Sequence, residues 1–311
     1  FGAAQFRTQN GPFYIEPELQ LGKLLNPHAY APQTGMRTSG TISLGKANMT
    51  QLWARYYNHP HTGVSVSFSS LGNPRSMGYE VSLLPYVQFN PIKSLKQPFF
   101  FKLAFGASYF TRHYDERTNP ENKAIGSPVT WAFQWFAYQS LFVNQQANIK
   151  IGVGWSHAST GHSSLPNFGY NSFSMSVAAQ IFTRQNGPVY GLPLAPMEKD
   201  RESGRFFLQL RNGFGFHQLG GTGPADDKSV KPVYTTAFSG GMIIDRFVKV
   251  RFGVAYRYYQ HYHDYIRLME YEKYVDRPVS NSSNVYVFLG SEFLLGHVGL
   301  DVELGVNAFK P

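Results

Sequence analysis

Along much of the chain apolar and polar side chains alternate strictly. In the run Val298–Phe309, Val298, Leu300, Val302, Leu304, Val306 and Ala308 share one face, and Gly299, Asp301, Glu303, Gly305 and Asn307 share the other. Val250, Phe252, Val254, Tyr256 and Tyr258 oppose Lys249, Arg251, Gly253, Ala255 and Arg257 in the same way. Phe206, Leu208, Leu210, Phe214 and Phe216 likewise share a face opposite Arg211 and two glycines. A period of two is the mark of a β-strand with one face in an apolar environment. The runs extend over about 11–15 residues, whereas strands of globular proteins centre on about 5–6.

A soluble sandwich also alternates, with its apolar face turned inward. Here the polar faces combine charges with glycine, which suits a crowded, hydrated lumen, and aromatics gather at strand ends as in an interfacial girdle. The pattern therefore predicts an all-β fold, an antiparallel transmembrane outer-membrane β-barrel. No stretch approaches the roughly 18 consecutive apolar residues of a membrane-spanning helix, but a spanning strand needs only about 9–11 residues.

The connections support this. Short turns near 46–50, 91–97, 144–148, 245–246 and 295–297 contrast with long polar loops near 26–36, 113–127, 160–170, 220–230 and 261–280. Short turns belong at the periplasmic end of such a barrel and long loops at the extracellular end. Thirteen strands can be counted. Because closed bacterial barrels have an even number, the expectation is one continuous barrel of about 14–16 strands in the complete protein. Residues 1–184 would form an eight-strand half, 185–203 a connecting segment, and 204–311 additional barrel strands.

Composition fits this picture. Aromatics make up 16% of the chain and charged residues only 15%, with 30 glycines. There is no cysteine, so neither disulfides nor thiolate metal sites can form. The net charge of +9 is dispersed among strands and turns, without a basic run or nucleic-acid motif. Phosphorylated lipid headgroups are a better match for it than nucleic acid.

Candidate chemistry concentrates in Gly154–Asn171, "GWSHASTGHSSLPNFGYN". Alternation puts Ile149, Ile151, Val153 and Trp155 toward lipid, and His157 and Ser159 continue that row at its extracellular end. On the returning strand Asn171 shares the row of Phe173, Met175 and Val177. Polar groups facing lipid are costly. Either the strand has already reached the headgroups, or the cluster is an esterase site with His157 as general base and Ser159 as nucleophile.

Other polar groupings carry less. His261–Asp264, "HYHD", is a metal-ligand pattern beside Tyr259, Tyr262 and Tyr265, which suggest the headgroup layer instead. His59 and His61 flank Pro60, a kink signal. Asp115, Glu116, Asn119 and Asn122 do not follow EF-hand spacing. His162, Ser163 and Ser164 lie beyond the alternating run. None of these calls for a metal or cofactor.

The segment "H-x-S-x-G…L-P-N-x-G-x-N", His157 to Asn171, resembles the active-site segment of the PagL-type lipid A 3-O-deacylases, and more closely their longer Bacteroidota relatives, the acyloxyacyl hydrolases. Tyr57–Phe68, Leu71–Phe89 and Tyr114–Ser127 resemble the same relatives in the same order, so the likeness covers roughly residues 10–185. It implies an outer-membrane barrel with a His–Ser–acid triad on its lipid-facing exterior, cleaving an ester-linked acyl chain from lipid A. His157 and Ser159 match base and nucleophile. Two positions depart: the residue after the serine, usually Asn and implicated in the oxyanion hole, is Thr160, and the acid position falls on Asn171. An oxyanion site would then rest on the Thr160 hydroxyl and the Gly161 backbone N–H.

The expected function is thus an ester hydrolase of lipid A or lipopolysaccharide in the bacterial outer membrane, surrounded by outer-membrane lipids. The alternative is a degenerate relative acting as a structural subunit of an outer-membrane protein complex, with protein partners there. A transport pore draws support only from the charged row Lys249, Arg251, Arg257, Asp301 and Glu303.

Overall fold

The computed structural model describes residues 11–92, 94–183, 204–224, 228–270 and 272–310. Among the described residues the fold is all-β, with thirteen antiparallel strands and three short helices. Two compact units divide the chain: the first carries the first eight strands, and the second carries the remaining five together with residues 162–165.

The first unit consists of β1 (Phe13–Leu25), β2 (Met36–Ala47), β3 (His61–Ser70), β4 (Tyr79–Phe89), β5 (Phe99–Phe110), β6 (Val129–Val143), β7 (Ala147–Ser159) and β8 (Tyr170–Phe182). Each pairs antiparallel with the next, and β8 pairs antiparallel with β1, from Tyr14↔Phe182 to Leu25↔Asn171. The expected single continuous barrel is corrected here: the wall closes after eight strands. An even count leaves β8 running opposite to β1, so the two edges satisfy one another's backbone groups.

Eight strands enclose a lumen that side chains alone can fill. Glu16 and Lys150 form an ion pair of 2.8 Å deep inside, and Lys102 lies 3.8 Å from Glu16 and 4.0 Å from Glu18. Arg37 pairs with Glu80 at 3.3 Å. Tyr138 and Ser176 donate hydrogen bonds to Glu18 at 2.8 and 2.5 Å. Three cations therefore face three anions, and all six residues are buried. The outward row is apolar and exposed, with Leu19 at 71% and Met175 at 70%. This inversion, charge inside and aliphatics outside, is the arrangement a lipid solvent selects.

The connections mostly follow expectation. The 46–50 turn does not: β2 and β3 are joined by a longer segment containing the helix α1 (Leu52–Tyr56). Within it Asn48 donates to Pro60 O at 2.9 Å, and Asn58 and His59 take positive φ. His61 opens β3 and is buried.

The second unit is a sheet of β9 (Arg205–Gln218), β10 (Val230–Ile244), β11 (Val248–Tyr259), β12 (Ser283–Leu295) and β13 (Val298–Phe309), in that order. Its apolar faces are those read from the sequence, and Arg211, Arg251, Asp301 and Glu303 share the opposite face. Arg211 on β9 reaches Asp301 on β13 at 3.0 Å, so the sheet curls until its first and last strands exchange ion pairs. Arg251 bridges the same two carboxylates. The long 261–280 loop is partly helical, with α2 (Gln260–Met269) and α3 (Pro278–Asn281). The proposed connecting segment 185–203 lies outside the described residues.

Candidate active site

Strand pairing brings the three expected residues together. His157 stands directly across from Asn171 in the β7–β8 ladder, and Ser159 is two residues further along the same outward row. The imidazole Nδ1 lies 2.9 Å from Asn171 Oδ1. With an amide oxygen as partner the N–H must be on Nδ1, which leaves Nε2 as the basic nitrogen. The amide thus selects the tautomer that a serine's base requires.

Two further features fix the ring. Trp155 stacks on it at 5.5 Å with an interplanar angle of 14°. Gly169, at φ +76°, passes so close that a Cβ there would sit 3.0 Å from His157 Cε1. Only glycine combines that backbone angle with that approach. Across β6, Phe133 pairs with His157 and Trp131 with Ser159, and Trp131 stacks on Phe105 at 5.7 Å. The site is therefore flanked on one side by an outward aromatic shelf.

Around the serine, the Gly161 backbone N–H lies 3.3 Å from Ser159 Oγ, and Gly161 adopts a positive φ of 62°. Thr160 is buried, and its backbone N–H donates to Asn167 Oδ1 at 2.9 Å. Of the two residues expected to supply the oxyanion site, Gly161 brings its N–H to the serine's side, and the Thr160 N–H holds the loop. Among the described residues no hydrogen bond joins Ser159 to His157. Such bonds are often long before substrate arrives.

The other groupings take structural places. His162 belongs to the second unit, where its ring stacks on His217 at 4.7 Å and its Nε2 lies 3.0 Å from Gly220 O. His261 is buried on α2, with Nδ1 3.2 Å from His217 O. Asp115 accepts from the Thr118 N–H at 2.8 Å, the Thr118 hydroxyl at 2.8 Å and the Arg117 N–H at 3.1 Å. Those donors hold its carboxyl below the ordinary carboxylate range and close a turn over Asp115–Thr118. No cluster of metal-ligating side chains occurs among the described residues.

Sequence reading used Asn167 and Gly169 only as spacing markers. Their roles, holding Thr160 and admitting the imidazole, depend on loop geometry. Trp155 was legible as an outward residue but not as a ring partner of His157.

Residues 44–180 match the family model described as lipid A 3-O-deacylase (PagL). Over that segment the chain resembles the PagL family. Among solved structures it is similar to the outer membrane enzyme PagL, at 17% identity over 52% of this chain and 97% of that one, with a TM-score of 0.39. It is also similar to Neisserial surface protein A, at 10% identity over 54% and 96% of the two chains, again with a TM-score of 0.39. A comparison with curated proteins found no match. An exposed aliphatic wall around a buried, charged lumen is the arrangement of an integral membrane β-barrel.

Proposed function

We propose that the protein removes an ester-linked acyl chain from lipid A or a related lipopolysaccharide, with Ser159 as nucleophile and His157 as base. The observation that carries this reading is the 2.9 Å contact of His157 Nδ1 with Asn171 on the lipid-facing wall. A histidine held in the base-competent tautomer on the same outward row as a serine is the arrangement that serine–histidine ester hydrolysis requires.

In this mechanism Nε2 takes the Ser159 hydroxyl proton as Oγ attacks the ester carbonyl carbon. The Gly161 N–H turns from Oγ toward the developing oxyanion. The imidazolium returns its proton to the departing sugar hydroxyl, leaving an acyl-serine and the deacylated lipid. Water, activated by the same nitrogen, then releases the fatty acid. Asn171 orients the ring throughout but offers no charge to the imidazolium, so turnover is slower than with a carboxylate.

Ser159→Ala should retain a closed barrel, read as heat-modifiable migration on gels, and should lower deacylation by about 10⁴-fold or more. Mass spectrometry of lipid A before and after exposure gives the loss of one acyl mass. If the unmodified protein releases no acyl chain where an active PagL enzyme does, the hydrolase reading is lost. The second reading, a structural subunit of a membrane complex, is favoured by the substitution at Asn171 and by the added second unit. It requires stoichiometric protein partners from native membranes.

A further inference from the structure

The eight strands of the first unit hold eight charged side chains, and six of them point into the lumen. The two on the outward rows are Lys23 and Lys46. Lys46 sits at the periplasmic end, where its ammonium lies 5.5 Å over the Phe13 ring. Lys23 sits near the opposite end of β1, exposed on the row of Leu19, Leu21 and Leu25, and among the described residues it has no anionic partner.

Register fixes its distance from the site. Leu25 pairs with Asn171, which pairs with His157, while Lys23 pairs with Phe173 one dyad below. Lys23 is therefore two strands from the imidazole, on the order of 10 Å away at the spacing of a β-sheet. It lies on the side opposite the Trp131–Phe105 shelf. A cavity of about 480 Å³ opens there, lined by Lys23, Leu24, Leu25, Asn26, Gln33 and Thr34. Its far wall is anchored: Gly35 N–H donates to Gly72 O at 2.9 Å, and Asn73 Nδ2 donates to Gln33 O at 2.9 Å.

A lysine on a lipid-facing row this near the strand end lies where anionic headgroups, not bare hydrocarbon, meet it. Three polar neighbours in a concave, braced site add hydrogen-bonding capacity that a merely snorkelling lysine does not need. We propose that this cavity is a headgroup subsite in which Lys23 binds a phosphate carried by the saccharide of the substrate. The acyl chain then lies across the aromatic shelf on β5–β6. The polar and apolar ends of the substrate fall on opposite sides of His157 and Ser159, and the ester is carried over the serine. This rests on the deacylase reading of Ser159.

The test compares phosphorylated lipid A with its dephosphorylated form. The unmodified protein should show a KM for the phosphorylated lipid about tenfold lower, as for loss of one charge-assisted contact. Lys23→Gln should erase that preference, and Lys23→Arg should restore it. In parallel, binding of the two lipids in nanodiscs is measured on Ser159→Ala and on the Ser159→Ala, Lys23→Gln double variant, where turnover is not needed. The phosphate preference should be present in the first and absent in the second. Loss of hydrolysis with this binding pattern intact removes the deacylase reading and leaves the subsite standing. A preference that survives Lys23→Gln in the binding arm, or that is missing from Ser159→Ala itself, overturns the subsite.

Discussion

Glu16 and Asp301 occupy equivalent places in their units. Each is an inward carboxylate among basic side chains, on a sheet whose other face is aliphatic. Their surroundings differ sharply: the Glu16 side chain is 1% exposed and that of Asp301 32%. The first sheet has an even number of strands and closes on itself, which dries its interior. The second shows five among the described residues, so β9 and β13 run in the same direction and do not pair there. Curling still brings Arg211 and Asp301 together, but water reaches them. The same alternation rule thus yields a fully buried ion network in the first unit and a partly exposed one, built around the buried Arg251, in the second.

This contrast is sharpest under mutation. Glu16→Ala leaves Lys150, which is fully buried, without its closest counter-charge. The first unit should lose about 3–5 kcal/mol, the usual result of orphaning one member of a buried pair. Thermal or urea unfolding of the heat-modifiable barrel measures it. Asn171→Asp tests the site and not the packing. A carboxylate facing Nδ1 stabilises the imidazolium, so kcat should rise about 10- to 100-fold, or about 1.4–2.7 kcal/mol of barrier. An unchanged kcat would mean that proton transfer does not limit turnover. The smallest effect belongs to Asp301→Ala. Its partners Arg211 and Arg251 both keep Glu303, and Asp301 is itself 32% exposed, so even with the Arg251 side chain buried the loss should stay at about 1–2 kcal/mol, below that of Glu16→Ala. A cost equal to that of Glu16→Ala would show that the second sheet is as dry as the first.

Much of this was legible in the sequence because a strand's period of two needs no tertiary knowledge. Thirteen strands, the outward placement of His157, Ser159 and Asn171, and the inward row containing Asp301 and Glu303 all follow from counting by twos. Closure did not follow. Whether β8 meets β1 or β9 depends on curvature accumulated over all eight strands, which no local window contains. The helix α1 was missed because Leu52–Tyr56 is too short to show a helical period. In the site, the loop contacts of Asn167 and Gly169 were invisible for the same reason. Lys23, by contrast, could have been found: it breaks the row Leu19, Leu21, Leu25, and an outward charge asks what it meets.

The lumen of the first unit has an electrical consequence. Its three cations and three anions cancel, and they lie within a few ångströms of one another. The lumen row is therefore electrically neutral as a whole, so a potential across the membrane finds no net charge there to displace.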